Sequence, residues 1–140
     1  MIQDCIFCRI ADGRLATDII AQDDATLTFL DHSPVFPGHL LIIPRTHVDT
    51  LTDLADDQLQ PFLRQVQRAA RAVEAGLGAE GSFVAINNKI SQTVPHLHAH
   101  VIPRRKGDGM KGFFWPRRHY TDEAHRAATV EKLREAFRSL

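Results

Sequence analysis

Three histidines stand at alternate positions near the end of this chain, His96, His98 and His100, with Leu97 and Ala99 between them and Val101 after them. The alternation has a period of two, which is that of a β-strand. Residues two apart in a strand share a face, about 6.5–7 Å from one another. One face of this stretch therefore carries a row of imidazoles, and the other is apolar enough to lie on a core. Histidine has no strand preference that would explain the row. Three chemistries fit it. Alternate histidines on a strand can present two ligands to a metal. They can be buried and satisfied by hydrogen bonds. Or one of them can be a nucleophile, since a neutral imidazole is abundant near pH 7 and can attack phosphorus or an acyl carbon. Spacing alone favours metal over nucleophile.

The flanks add neutral donors. Gln92 and Thr93 lie just before the histidines, and Asn87 and Asn88 end the segment before that. Such groups suit a phosphate that gathers charge in a transition state, although for each taken alone a turn-stabilising role is favoured. The only cysteines are Cys5 and Cys8. No basic segment followed by an apolar run opens the sequence, so no export signal is read there and the cytoplasm is the expected location. In that setting a close cysteine pair points to a metal or to redox chemistry rather than to a structural disulfide.

These residues need elements to hold them. Residues 4–12 read as a short helix with Gly13 just past its end. Ile19–Ala21 and Leu27–Leu30 read as strands around an Asp23-Asp24 turn. Pro34, Pro37 and Gly38 mark a loop, and His39–Pro44 reads as a buried strand that proline ends. Leu59, Phe62, Leu63, Val66, Ala70, Val73 and Leu77 recur at three- and four-residue steps, an amphipathic helix. Asp56 or Asp57 is expected to cap it, Gly76 or Gly78 to end it, and Pro61 to fall in or near its first turn. Ser82–Asn87 and the histidine stretch complete a set of five strands. Thr121 opens a last helix with Val130, Leu133, Phe137 and Leu140 on one side. Short connections between strands imply an antiparallel sheet with helices packed on one face, an α+β domain. The chain of 140 residues is read as one domain, 1–140.

The bulk numbers exclude some partners. Formal net charge is zero and the pI is about 7.1, so no bulk attraction to nucleic acid or an anionic membrane is expected. No apolar run approaches the ~20 residues that span a bilayer.

Gln92-Thr93-Val94-x-His96-x-His98-x-His100-Val101-Ile102-Pro103-Arg104 resembles the signature of the histidine triad (HIT) superfamily of nucleotide hydrolases and transferases. Cys5-Ile-Phe-Cys8, Phe29-Leu-Asp31-x-x-Pro34-x-x-Pro37-Gly-His39, Ile43-Pro44-x-x-His47 and Asn87 resemble landmarks of its bacterial members, in order and at suitable separations across residues 4–116. The resemblance implies that His98 attacks the α-phosphate of a nucleotide derivative, forms a nucleotidyl-histidine and expels the leaving group, after which water frees the nucleoside monophosphate. It implies that His100 and His39 orient and polarise that site. Asn87, Gln92 and Thr93 match positions for the phosphate or leaving group. Asp31 matches the ribose-binding residue, and Leu15, Phe29 and Leu30 match the walls of a base pocket that favours a purine. No catalytic metal is implied. Some bacterial members, and the related hexose-phosphate uridylyltransferases, complete a structural zinc site with a Cys-x-x-Cys pair and two histidines; those positions are Cys5, Cys8, His47 and His96 here. A homodimer through the long helix and a sheet edge is implied as well.

The expected activity is hydrolysis of nucleoside 5′-phosphoramidates or related phosphoanhydrides. Its rivals are a dinucleoside polyphosphate hydrolase, a zinc-stabilised nucleotide-binding protein with little turnover, and a metal hydrolase that uses all three triad histidines as ligands. The chain departs from the family pattern at Ser91, where glycine is usual, and in a shorter turn between Asn87 and Gln92. His119 and His125 lie outside every motif and are expected on the surface. Trp115, in a Phe-Phe-Trp run, is expected at a dimer contact or a site rim.

Overall fold

A computed structural model describes residues 4–110 and 117–140. Residues up to Asp108 form one compact unit and Gly109–Leu140 a second. Trp115 and the aromatic run around it lie outside the described residues.

In the first unit the order is α1 (Ile6–Ala11), β1 (Ile19–Gln22), β2 (Thr26–Leu30), β3 (Leu40–Pro44), a 3₁₀ turn at Leu51–Asp53, α2 (Asp56–Leu77), β4 (Gly81–Ile86) and β5 (Ala99–Arg104). The strands form one antiparallel sheet ordered β1-β2-β3-β5-β4. The histidine strand is thus inserted between β3 and β4, one place in from the edge of the sheet.

Both faces of that sheet are covered. Leu40 and Ile42 of β3 join Leu97, Ala99 and Val101 against Phe62, Val66 and Val73 of α2. Leu41 and Ile43 point the other way and join Leu27, Phe29 and the α1 residues Phe7, Cys8 and Ile10. The expectation of helices on one face is therefore corrected: α2 covers one side and the short N-terminal helix the other. The unbroken apolar run Leu40-Leu41-Ile42-Ile43 is the pattern of a strand buried on both faces.

Three local expectations are also corrected. The regular strand begins at Ala99, so His96, Leu97 and His98 approach it without belonging to it. β4 ends at Ile86, opposite Ala99, and pairing with β3 ends at Ile42, also opposite Ala99, although β3 itself runs on to Pro44. The Leu97 N–H is satisfied instead by the Val48 carbonyl at 2.7 Å. α2 is capped by Ala55 rather than by Asp56 or Asp57, which occupy its first turn and favour the positive end of the helix dipole from there. Pro61 consequently lies in the second turn, inside the helix, where it removes one N–H···O bond. The helix does end at Gly78, in the left-handed conformation at φ 65°, and Arg105 donates to the Leu77 and Gly78 carbonyls left over there.

The turn between β4 and the histidines is tight. Lys89 and Ser91 have φ of 70° and 59°, a region that costs a side-chain-bearing residue about 1–2 kcal/mol. Serine at position 91 therefore carries a backbone cost that glycine would not. Ser91→Gly is expected to raise stability by roughly 0.5–1 kcal/mol, after the extra chain entropy of glycine is offset, and thermal unfolding measures it.

The second unit contains α3 (Glu123–Arg138). Asp122 caps it by accepting from the His125 N–H at 2.7 Å. The His125 ring accepts from Thr121 N–H at 3.1 Å, so this surface histidine helps to set the helix start. Among the described residues no helix is long and apolar enough to cross a membrane.

Candidate functional site

Strand register builds the first half of the site. β2 pairs with β3 so that Leu30 faces Leu40, which places Asp31 and His39 side by side where the two strands part. The Asp31 N–H donates to the His39 carbonyl at 2.9 Å. On the other side β3 pairs Leu41 with His100, so His39 and His100 are diagonal neighbours on one face, within reach for ring side chains.

The rings meet with His39 Nε2 and His100 Nδ1 2.9 Å apart. Val35 N–H donates to His39 Nδ1 at 3.1 Å, so in the neutral ring the His39 proton sits on Nε2 and is donated to His100 Nδ1. His100 is then left with its proton on Nε2. Asp31 Oδ2 lies 3.7 Å from His39 Nε2, while its other oxygen accepts from Ser33 N–H at 2.9 Å. Burial pushes the His39 imidazole below the usual range, with Asp31 opposing. Burial, together with the nearby His98 and His39, pushes His100 down to about 4. Both rings are therefore neutral at pH 7.

A pH dependence follows. The folded pKa values lie below the unfolded value of about 6.5, so between that value and about 4 the unfolded chain holds more protons at His100 than the folded one. Stability is then untouched by these groups above pH 6.5 and falls as the medium is acidified through that window. His100→Asn is expected to flatten the acid side of a plot of unfolding midpoint against pH.

His98 is 4% exposed. Its Nδ1 is 2.7 Å from the His96 carbonyl. A carbonyl only accepts, so Nδ1 carries the proton and the Nε2 lone pair is free for attack. Phe7 of α1 packs edge-on against the ring, with centroids 5.1 Å apart, and the His100 ring lies 5.0 Å away.

The second half of the site uses the same logic with the opposite outcome. His96 Nε2 is 2.8 Å from the Pro44 carbonyl, so its proton sits there and its Nδ1 lone pair faces Cys5 Sγ at 3.4 Å and Cys8 Sγ at 3.6 Å. His47 Nε2 is 2.8 Å from Asp49 Oδ1, which leaves its Nδ1 facing Cys8 Sγ at 3.3 Å. The four ligand atoms lie within 4.8 Å of one another. A tetrahedral ion with bonds of about 2.0–2.3 Å places its ligands about 3.3–3.8 Å apart, which the sulfur–nitrogen separations of 3.3, 3.4 and 3.6 Å match. Each histidine also has the outer acceptor that metal-bound histidines use. The donor set fits zinc, and it does so through tautomers already fixed by the fold.

The three triad rings therefore do not converge on one ion. His96 joins the cysteines, His100 joins His39 and Asp31, and His98 belongs to neither cluster. That geometry argues against the metal hydrolase with three triad ligands.

The remaining sequence candidates divide. Phe29 is buried and Leu15 packs on the same cluster as the α1 residues, on the histidine face. Leu30, one step along β2, points to the opposite face and packs against the α2 cluster; the strand alternation does not bring it to Leu15 and Phe29. Asn87 is half-buried directly after β4. Gln92 closes its own turn, accepting from Lys89 N–H at 2.9 Å and donating to the Asp49 carbonyl at 2.6 Å, with one amide hydrogen left over. Thr93 is exposed and lines an open cleft of about 420 Å³ with Asp4, Ile6, His47 and Asp49.

Sequence reasoning missed Phe7 and Asp49. The one is the buried residue inside the Cys-x-x-Cys segment, the other the acid two positions after His47. A carboxylate at that spacing from a candidate metal histidine is a readable signal for an outer acceptor.

The HIT domain family matches residues 13–107. Protein hit of Bacillus subtilis is 37% identical over 116 residues, covering 81% of this chain and 79% of that protein. The adenosine 5′-monophosphoramidase of Schizosaccharomyces pombe is 34% identical over 114 residues, covering 80% of this chain and 83% of that one. The crystal structure of a zinc-bound histidine triad family protein from Mycobacterium smegmatis superimposes with a TM-score of 0.73 at 38% identity, covering 95% of this chain and 97% of that one. With this domain match, these relatives and a five-stranded antiparallel sheet that presents the triad, the chain belongs to the histidine triad (HIT) family.

Proposed function

We propose that this protein hydrolyses nucleoside 5′-phosphoramidates, or related phosphoanhydrides, through a covalent nucleotidyl-histidine on His98. The observation that carries this reading is the bond from His98 Nδ1 to the His96 carbonyl, which commits the Nε2 lone pair to attack. The likeness to an adenosine 5′-monophosphoramidase supports the substrate class.

In this reading Nε2 attacks the α-phosphorus. A new N–P bond forms, the bond to the amine or phosphate leaving group breaks, and a leaving amine takes a proton from solvent. The imidazole in the intermediate is cationic, and the His96 carbonyl that accepts its Nδ1–H steadies that charge. The His39–His100 pair keeps a proton on His100 Nε2, available to a phosphate oxygen. Water then attacks phosphorus, the P–N bond to His98 breaks, its electron pair returns to Nε2 and the water's proton leaves to solvent. Asp31 holds the ribose hydroxyls, and Leu15 and Phe29 wall a purine base. Asn87, Gln92 and Thr93 hold the phosphate or leaving group. No metal takes part in the bond changes. Cys5, Cys8, His47 and His96 hold one structural zinc per chain, a reading supported by the donor geometry and by the zinc-bound relative. The working form is a cytoplasmic homodimer in which residues 1–140 act as a single domain.

Rapid acid-free denaturation during turnover of adenosine 5′-phosphoramidate tests the covalent step. A mass increment of one AMP that maps to the peptide carrying His98 is the expected result. AMP release with no adduct at any quench time, although chemistry precedes release in the burst, would remove the covalent intermediate.

A further inference from the structure

The segment from His47 to Leu51 touches the metal centre, the turn at 88–92 and the stretch between His96 and His98, and Asp49 is at its centre. The Asp49 carboxylate accepts from His47 Nε2–H at 2.8 Å, the ring whose other nitrogen faces Cys8. The Asp49 backbone carbonyl accepts from Gln92 Nε2–H at 2.6 Å. Two residues on, Leu51 N–H donates to Asn88 Oδ1 at 2.9 Å. One residue back, the Val48 carbonyl accepts from Leu97 N–H at 2.7 Å, between two of the triad histidines. Gln92 in turn fixes Lys89 N–H at 2.9 Å. The turn 88–92 has two left-handed residues without the freedom of glycine, so it holds its shape through these side-chain bonds rather than through intrinsic preference.

We propose that Asp49 is a positioning residue that couples the cysteine–histidine metal centre to the leaving-group turn. A metal ion fixes the His47 ring; the ring fixes the Asp49 carboxylate; and the backbone of the same residue fixes Gln92 and with it the turn at 88–92. Through Val48 the same segment sets the height of Leu97 between His96 and His98. The metal centre is then more than a staple for the N-terminal helix: its occupancy sets the order of the surface that receives the group expelled from phosphorus. The inference rests on the zinc and hydrolase readings above.

The side chain of Asp49 is 62% exposed, so substitutions there leave the core intact. The test uses the full-length wild type, Asp49→Ala and Asp49→Asn, each with zinc and after removal of zinc. Zinc stoichiometry and affinity come from competition with a chromophoric chelator. Amide hydrogen exchange is read at Lys89, Leu51 and Leu97, with Leu41 in β3 as internal reference. Removal of zinc from the wild type is expected to speed exchange at Lys89 and Leu51 at least about tenfold relative to Leu41. Asp49→Ala is expected to weaken zinc binding about 10–100-fold, as loss of an outer partner does. At saturating zinc it should still exchange fast at Lys89 and should raise KM more than it lowers kcat. Asp49→Asn, which keeps an acceptor for His47, should recover most of the exchange protection. Unchanged exchange at Lys89 and Leu51 on zinc removal would overturn the coupling while leaving the zinc site standing. Wild-type zinc affinity in Asp49→Ala would do the same. A chain that binds no zinc at micromolar concentration would overturn both. AMP release that is absent while zinc and exchange behave as expected would sink only the hydrolase reading.

Discussion

His98→Asn is expected to lower AMP release from adenosine 5′-phosphoramidate by about 10⁴–10⁶-fold, the scale seen when a covalent nucleophile is removed. The substitution is chosen for what it keeps. An asparagine amide can still donate to the His96 carbonyl that now accepts from His98 Nδ1, so the segment between the two clusters stays tied. It removes the lone pair on Nε2 and part of the ring contacts with Phe7 and His100. Binding of AMP and the unfolding midpoint should therefore change little, within about 1 kcal/mol. His100→Asn should be milder, about 10²–10³-fold, because it takes away a donor to developing charge and not the attacking atom. The ordering of the two variants is the discriminating result. Turnover in His98→Asn within tenfold of the wild type would move the reaction to another nucleophile. Loss in both with no AMP adduct in the wild type would favour direct attack by water.

Cys8→Ser is the second change with a large expected effect, and it acts on stability. Cys8 is buried and its sulfur faces both histidines of the metal centre. Serine offers a harder, neutral ligand to an ion that prefers thiolate, so zinc content should fall from about one per chain to near zero after dialysis. An ion present at 1,000 times its dissociation constant stabilises the fold by about 4 kcal/mol. For a chain of this size the loss corresponds to an unfolding midpoint lower by roughly 15 °C. The wild type stripped of metal should drop to nearly the same midpoint, and zinc should restore it but should not restore the variant. Equal midpoints for all three samples would mean that the two thiols are simply packed.

Much of this arrangement was legible in the chain. The steps from Leu59 to Leu77 gave α2, and the brackets of glycine, proline and aspartate around short apolar runs gave the strands. The triad was legible as chemistry because nothing about strand packing calls for three imidazoles. What escaped were partners supplied by backbone or by distant side chains. That His96 and His98 lie ahead of the regular strand depends on where β4 ends and where pairing with β3 ends, which a pattern within residues 96–101 cannot contain. The tautomers depend on the Pro44 and His96 carbonyls and on Val35 N–H, and no residue type announces a free carbonyl. The placement of α1 on the histidine face was hidden for a different reason. Six helical residues are too few for periodicity to show a direction, and only the doubly buried β3 run hinted that a second cover was needed.

The insertion of β5 between β3 and β4 also has a consequence for how the molecule comes into being. The strand that joins β3 to β4 is the last of the sheet to leave the ribosome, so until residue 104 has emerged β3 and β4 cannot acquire their shared neighbour. Each then offers an unpaired edge to other chains. The cysteines are made at the start, whereas His96 arrives 91 positions after Cys5. Contacts so distant in the chain form slowly. Nucleophile, metal ligand and joining strand are delivered together by one late segment, so a nascent or truncated chain has no partial activity to select for, and the interval before that segment docks is when the protein is most exposed to aggregation and to oxidation of its thiols.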